Sequence, residues 1–149
     1  MKLLTKVRDR EQRTGAVLVE AAVVLPILLI LVLGIIEFGR GMMVVQLLTN
    51  GAREGARSAV LNGSSNATVD AHVKSFLPQT IGCDPADLTI AITITPDPAN
   101  STTGNEIADS EAGDLVNVEI SVPYDRVGYI TAGMLSGSVL RARNTMRRE

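Results

Sequence analysis

The sequence predicts an α+β protein: a long N-terminal transmembrane helix that continues into a stalk, a short second helix, and about three antiparallel strands packed on the long helix. Three observations support this prediction. Residues 21–36 carry no charge, the helical pattern then continues without proline to Val60, and three later segments alternate between apolar and polar residues. A chain of 149 residues is long enough for an anchor and one small domain.

The chain begins with a basic leader, residues 1–15, followed by a predicted membrane helix, residues 16–36. Five basic and two acidic residues give the leader a net charge of +3. Because the whole chain has a formal charge of −2, residues 16–149 carry a net charge of −2 − 3 = −5. A helix of roughly 20 residues crosses about 30 Å of hydrocarbon. The positive-inside rule then places the leader in the cytoplasm and the C-terminal part outside it. An ordinary secretory signal peptide is disfavoured, because the apolar run is too long and no small-residue cleavage site follows it.

Residues 37–61 are predicted to extend the membrane helix. Small residues at helical spacing form a stripe on this extension, and small residues let another backbone approach closely. We favour packing of the stripe on the protein's own sheet, and contact with a neighbouring helix in a fibre remains the alternative. The stripe consists of Gly51, Ala52, Gly55, Ala56 and Ala59.

Residues 62–149 are predicted to form a small extracytoplasmic α+β domain. A turn at residues 62–66 precedes a short helix over about Val69–Leu77, which Pro78 is expected to end. Three strands with one apolar face each need a cover, and the helices are the available cover. The strands are predicted at Leu88–Thr95, at Val116–Val122 and, more weakly, around residues 140–147.

The connection between the first two strands, residues 97–114, is rich in acidic residues and is predicted to be a solvated loop. It lacks the spacing of a calcium-binding loop, so cation binding is disfavoured but left open. Cys83 is the only cysteine, which excludes an intrachain disulfide. We expect a half-buried thiol, while a bridge to another chain remains open. The acidic residues of the connection are Asp97, Glu106, Asp109, Glu111 and Asp114.

The sequence contains no pattern typical of a catalytic site. Its one histidine, His72, lies far from Cys83, and there is neither a nucleophile elbow nor a glycine-rich phosphate loop. We therefore predict that the protein is not an enzyme and that it has no cofactor, no metal and no small-molecule substrate. The acidic C-terminal part also argues against nucleic acid as a partner.

Glu20 is the most informative residue of the N-terminal segment. A carboxylate within a membrane span costs a few kcal/mol and usually has a purpose. Cleavage after Gly15 would create a new α-amine on Ala16, four residues before Glu20 and on the same helix face. The carboxylate would then have a cationic partner.

The segment GAVLVEAAVVLPILLILVLGIIEFGR, Gly15 to Arg40, resembles the type IV prepilin signal, and more closely the N-terminal signature of TadE-like proteins. These are minor pilins or pseudopilins of the tight-adherence (Tad/Flp) pilus. The resemblance implies a pilin-like fold and a processing site at Gly15 and Ala16. It also implies that Glu20, and a second acid at Glu37, act as charges in assembly.

The resemblance further implies a non-enzymatic subunit that acts in pilus assembly, adhesion or the associated secretion. Its expected partners are the membrane, a prepilin peptidase, other pilin or pseudopilin subunits and the proteins of the assembly platform. Its expected location is the bacterial inner (cytoplasmic) membrane, as a single-pass protein with the N-terminus inside; whether it enters the fibre stays open. The alternative is an uncleaved single-pass protein whose extracytoplasmic domain binds a cell-envelope partner.

Overall fold

The computed structural model describes residues 2–129 and 133–149, except for the side chains of residues 2–14 and 16. The chain divides into an N-terminal unit, which ends at Ile36, and a C-terminal unit, Glu37–Glu149. These elements confirm the predicted α+β class. In chain order they are the helices α1 (Lys2–Ala59) and α2 (Asn66–Ile81) and the strands β1 (Thr89–Thr95), β2 (Leu115–Pro123) and β3 (Val139–Arg147).

The three strands form one antiparallel sheet in the order β1-β2-β3. Ile92 of β1 lies opposite Val118 of β2, which in turn lies opposite Asn144 of β3. Because side chains alternate between the two faces of a strand, this register collects most of the apolar residues of the three strands on one face, whereas Leu115 and Val139 lie on the other and are exposed. The period-two pattern in the sequence therefore identified the sheet correctly.

The core of the C-terminal unit lies between that apolar face, α2 and the part of α1 that belongs to this unit. Residues from all three surfaces are buried, so the two helices cover the apolar face of the sheet, as the sequence pattern predicts. The contributions from α1 are Val44, Leu48, Ala52, Ala56 and Ala59; those from α2 are Val69, Val73, Leu77 and Ile81; and those from β2 are Val116, Val118, Ile120 and Val122.

Helix α2 is longer at both ends than the sequence pattern predicts. It begins after Ser65, whose hydroxyl accepts a hydrogen bond from the backbone N–H of Thr68, as expected of an N-cap. Pro78 does not end the helix, because a proline in the last turn removes only one intrahelical hydrogen bond. The helix ends at Gly82, which adopts a left-handed conformation (φ 75°) and donates its N–H to the carbonyl of Pro78.

The connection between β1 and β2 differs from the fully solvated loop predicted for it. Asp114 has no exposed surface, and its carboxylate accepts four hydrogen bonds. The donors are the hydroxyl of Thr102 (2.6 Å), the side-chain amide of Asn100 (2.7 Å), and the backbone N–H groups of Asp97 and Glu111 (both 2.9 Å). Asp114 therefore holds the loop together from inside, whereas acids such as Asp109 are exposed.

Candidate functional site

The N-terminal unit presents an apolar helix surface. Its large apolar side chains from Val17 to Ile36 are exposed, which is expected of a helix surrounded by lipid rather than by protein. Within the described residues, α1 is the one helix long and apolar enough to cross a membrane. Glu20 is exposed on this surface. Gly15 is also exposed, and a Cβ added to it would meet no atom within 4 Å. The side chain of Ala16, the predicted new N-terminus, lies outside the described residues.

Glu37, the first residue of the C-terminal unit, is a buried acid with both carboxylate oxygens engaged. Its side chain is 3% exposed. One oxygen accepts the backbone N–H of Met134 and the other that of Leu135, each at 2.8 Å. Hydrogen bonds to a carboxylate are stronger than hydrogen bonds between two neutral groups. Glu37 thus attaches the crossover between β2 and β3 to α1. An intermolecular role for Glu37 in assembly remains a prediction.

Gly133 is required for this arrangement. A Cβ added to Gly133 would collide with the Glu37 carboxylate. The loop can therefore bring its next two N–H groups onto Glu37 only because residue 133 has no side chain.

Arg40, one turn after Glu37, joins α1 to two further segments. Its guanidinium donates to the carbonyl of Ile81 at the end of α2 and, at 2.9 Å, to the carbonyl of Val127. Carbonyls at a helix C-terminus have no partner within the helix and carry partial negative charge, so a cation is favourable there. The guanidinium also lies 4.7 Å from the ring centre of Tyr129.

Tyr124 completes the contacts around the first turn of the C-terminal unit. It is almost fully buried, and its hydroxyl donates to the backbone carbonyl of Glu37 at 3.2 Å. Burial raises the pKa of Tyr124; the charge of Glu37 raises it further, and Arg40 lowers it by less. The hydroxyl therefore stays protonated and able to donate. We refer to Glu37, Arg40, Tyr124 and Gly133 together as the collar cluster.

Sequence reasoning did not identify three members of the collar cluster, Arg40, Tyr124 and Gly133. The segment from Pro123 to Gly137 has no hydrophobic periodicity that could place it. The one local signal is the pair Glu37 and Arg40, which are three residues apart on a helix. That spacing shows that both side chains share a face, but not what the face contacts.

The small-residue stripe on α1 faces the protein's own α2 and β2. A Cβ at Gly51 would lie 2.8 Å from a methyl group of Leu77, and one at Gly55 would lie 3.1 Å from Val73 and 3.3 Å from Val118. These distances leave little room for any larger residue, so the stripe allows α1 to lie close to both elements. The charged neighbours Arg53, Glu54 and Arg57 are exposed.

The side chains that most often bind metals are not grouped into a metal site among the residues that the structure describes. Within them, no three His, Cys, Asp or Glu side chains are grouped so that they could hold a metal ion. Cys83 is half-buried, and burial raises the pKa of its thiol, with smaller contributions from Asp87 and Asp84. His72 is exposed, and its Nε2 lies 3.8 Å from Oε1 of Glu54.

Comparison with known proteins relates the N-terminal part of the chain to one family. Neither the curated proteins nor the solved structures give a match to this chain. Residues 15–57, somewhat under a third of the chain, match the model of the TadE-like protein family. The matched segment begins at Gly15, includes Glu20, Glu37 and Arg40, and ends within the small-residue stripe. The resemblance predicted from the residues is therefore confirmed: residues 15–57 are similar to the TadE-like protein family.

Proposed function

We propose that the protein is a membrane-anchored minor pilin or pseudopilin that acts in Tad/Flp-type pilus assembly, adhesion or the associated secretion. The observation that carries this proposal is the TadE-like match over residues 15–57, whose first half presents an exposed apolar helix surface. In this proposal the protein is a structural subunit and not an enzyme.

The proposed organisation has four parts. Residues 1–15 are a cytoplasmic leader, residues 16–36 span the inner membrane, residues 37–61 extend the helix, and residues 62–149 complete an extracytoplasmic domain. The division of the chain after Ile36 supports the boundary between the span and the helix extension. The positive charge of residues 1–15 supports an N-terminus in the cytoplasm.

The proposed processing site lies between Gly15 and Ala16. A prepilin peptidase would cleave this bond and release a mature chain whose first residue is Ala16. The new α-amine would lie four residues before Glu20, on the same face of α1. Glu20 is exposed on an apolar surface, so an amine from its own chain or from a neighbouring subunit would compensate its charge and fix the register between subunits.

The C-terminal unit is the proposed contact with pilin subunits and with the assembly platform. Its collar cluster gives the start of the folded domain fixed positions on α1, α2 and the β2–β3 crossover. A domain whose first turn is fixed in this way suits a subunit whose N-terminal helix is packed by others, because the folded domain then begins at a defined residue of α1.

The experiment uses Glu20→Ala and Glu20→Gln in cells that make the pilus. We expect both variants to be processed and retained in the membrane, and pilus output to fall in both, because neither provides the counter-charge for the Ala16 amine. Glu106→Gln is the matched control, since Glu106 is exposed and caps no helix with its side chain. Normal pilus output from both Glu20 variants would contradict the assembly role.

A further inference from the structure

An apolar groove lies at the start of the C-terminal unit. Its volume is about 310 Å³, and no charged side chain lines it. A groove this apolar on a small domain is uncommon unless something covers it. It is lined by Phe38, Gly41, Met42, Val45, Gln46, Leu135 and Leu140.

Exposed apolar side chains occur in the segments that line the groove. Phe38 and Met42, from α1, line the groove and are exposed. Met134, in the β2–β3 crossover, directly precedes the lining residue Leu135 and is 60% exposed. Two segments that are about a hundred residues apart in sequence thus contribute apolar side chains next to the groove. We call Phe38, Met42 and Met134 the apolar rim.

The apolar rim is placed close to the end of the predicted membrane span. Phe38 follows Ile36 by two residues, which is about 3 Å along a helix. Met134 and Leu135 donate their N–H groups to Glu37, the residue directly after Ile36. The crossover is therefore attached to the residue that follows the predicted span, although its sequence gives no indication of this.

We propose that the apolar rim and groove form a membrane-docking surface, which inserts into the interfacial region of the bilayer next to the anchor. This inference rests on the proposed membrane anchor. We infer lipid as the occupant because α1 continues from the proposed span directly to the residues that line the groove. Side chains within a few ångströms of the hydrocarbon boundary meet lipid before any other partner. Tyr129, which is exposed and stacked with Arg40, adds a residue type enriched at membrane interfaces.

The test uses the full chain, which contains no tryptophan, with single Trp reporters introduced at defined sites. The protein is reconstituted in vesicles of phosphatidylcholine and phosphatidylglycerol whose acyl chains carry bromine close to the headgroup. Met134→Trp is the reporter of the apolar rim, and Phe38→Trp is a second reporter that keeps an aromatic side chain in place. Leu29→Trp reports on the span itself.

Leu61→Trp is the matched control for Met134→Trp. The two native side chains are equally exposed, at 60%, but Leu61 follows the far end of α1, about 33 Å along the helix from Glu37. The difference between the two reporters therefore measures their distance from lipid and not the exposure of the site.

We expect bromine to quench about half or more of the Met134→Trp and Phe38→Trp emission and to leave Leu61→Trp unchanged. If Leu29→Trp is quenched while Met134→Trp and Phe38→Trp behave like Leu61→Trp, the proposal of a docking surface is wrong, whereas the proposed membrane anchor is supported. A blue-shifted but unquenched emission from both rim reporters would also overturn the inference, because it would show that protein, such as a second copy, covers the groove. An unquenched Leu29→Trp would contradict the proposed anchor, and the inference with it.

Discussion

The carboxylate of Glu37 accepts the backbone N–H of Leu135 at 2.8 Å, across 98 positions of sequence. This bond and its partner to Met134 fix an irregular crossover to the first turn of the C-terminal unit. The hydroxyl of Tyr124 donates to the backbone carbonyl of Glu37 in the same turn, and Arg40, one turn later, donates to the carbonyl of Val127. The acid that ends the TadE-like apolar segment thus has a structural task within its own chain.

The first prediction concerns the hydrogen bonds of Glu37. Glu37→Ala leaves two N–H groups without an acceptor, and a hydrogen bond to a charged group contributes about 1.5–3 kcal/mol. We expect the free energy of unfolding to fall by about 2 kcal/mol or more, and the amides of Met134 and Leu135 to exchange hydrogen faster. Hydrogen–deuterium exchange with mass spectrometry on the full chain in detergent measures the local effect.

Glu54→Ala is the control for this change, since Glu54 is an exposed acid on the same helix. It should leave the exchange of the crossover amides unaltered. Unchanged exchange in Glu37→Ala would mean that the crossover is held by other contacts and that the Glu37 bonds are not required.

The second prediction concerns the small-residue stripe. Gly55→Val places a branched side chain where a Cβ alone would already lie 3.1 Å from Val73. Overpacking of a core typically costs about 1–3 kcal/mol, so the denaturation midpoint should fall. Arg53→Val, the same new side chain on the exposed side of α1, should have a much smaller effect. Equal stability of the two variants would show that the stripe does not limit how closely α1 packs.

The third prediction concerns the minimal folding unit. Residues 62–149 lack the α1 side chains that cover the sheet, among them Val44 and Leu48. We expect this fragment to unfold without cooperativity, whereas residues 37–149 keep both the cover and Glu37. Urea denaturation followed by circular dichroism compares the two fragments. A cooperative transition of equal stability in the shorter one would exclude an essential contribution from α1.

The fourth prediction concerns the pH dependence that Asp114 confers. The hydrogen bond from Thr102 is the largest cause that holds the pKa of Asp114 well below its usual range, and burial opposes it. Because the folded pKa lies below the unfolded value of about 3.9, this stabilisation is complete above that pH and is lost as the pH falls toward the folded pKa.

Urea midpoints measured between neutral pH and strongly acidic pH test this prediction with Asp114→Asn. The variant should be less stable than the native chain at neutral pH, and the difference should shrink as the pH falls below about 4. Asp109→Asn is the control, because Asp109 is exposed in the same loop. A difference that stays constant over the acidic range would contradict the assigned role of Asp114.

The elements of this fold were predictable because their patterns are local. The alternation around Ile92 and Val118 identified two strands, and the uncharged run after Glu20 identified the apolar helix. The end of α2 was not predictable, because Pro78 is compatible with a last helical turn when Gly82 follows. Glu37 was recognised through the family resemblance, but its partners were not, since they lie in a segment without periodicity. The same holds for Asp114, whose donors are spread over the loop that it organises.

The proposal that this protein is processed as a prepilin depends on one peptide bond, and the N-terminus of the mature chain tests it most directly. Intact mass spectrometry of the protein extracted from its own membranes should give a chain that begins at Ala16. Gly15→Leu should retain the leader, while Gly39→Leu should be processed normally, since both glycines are exposed and an added Cβ meets no atom within 4 Å at either site. A native chain that keeps residues 1–15 would contradict the account and support the uncleaved single-pass alternative.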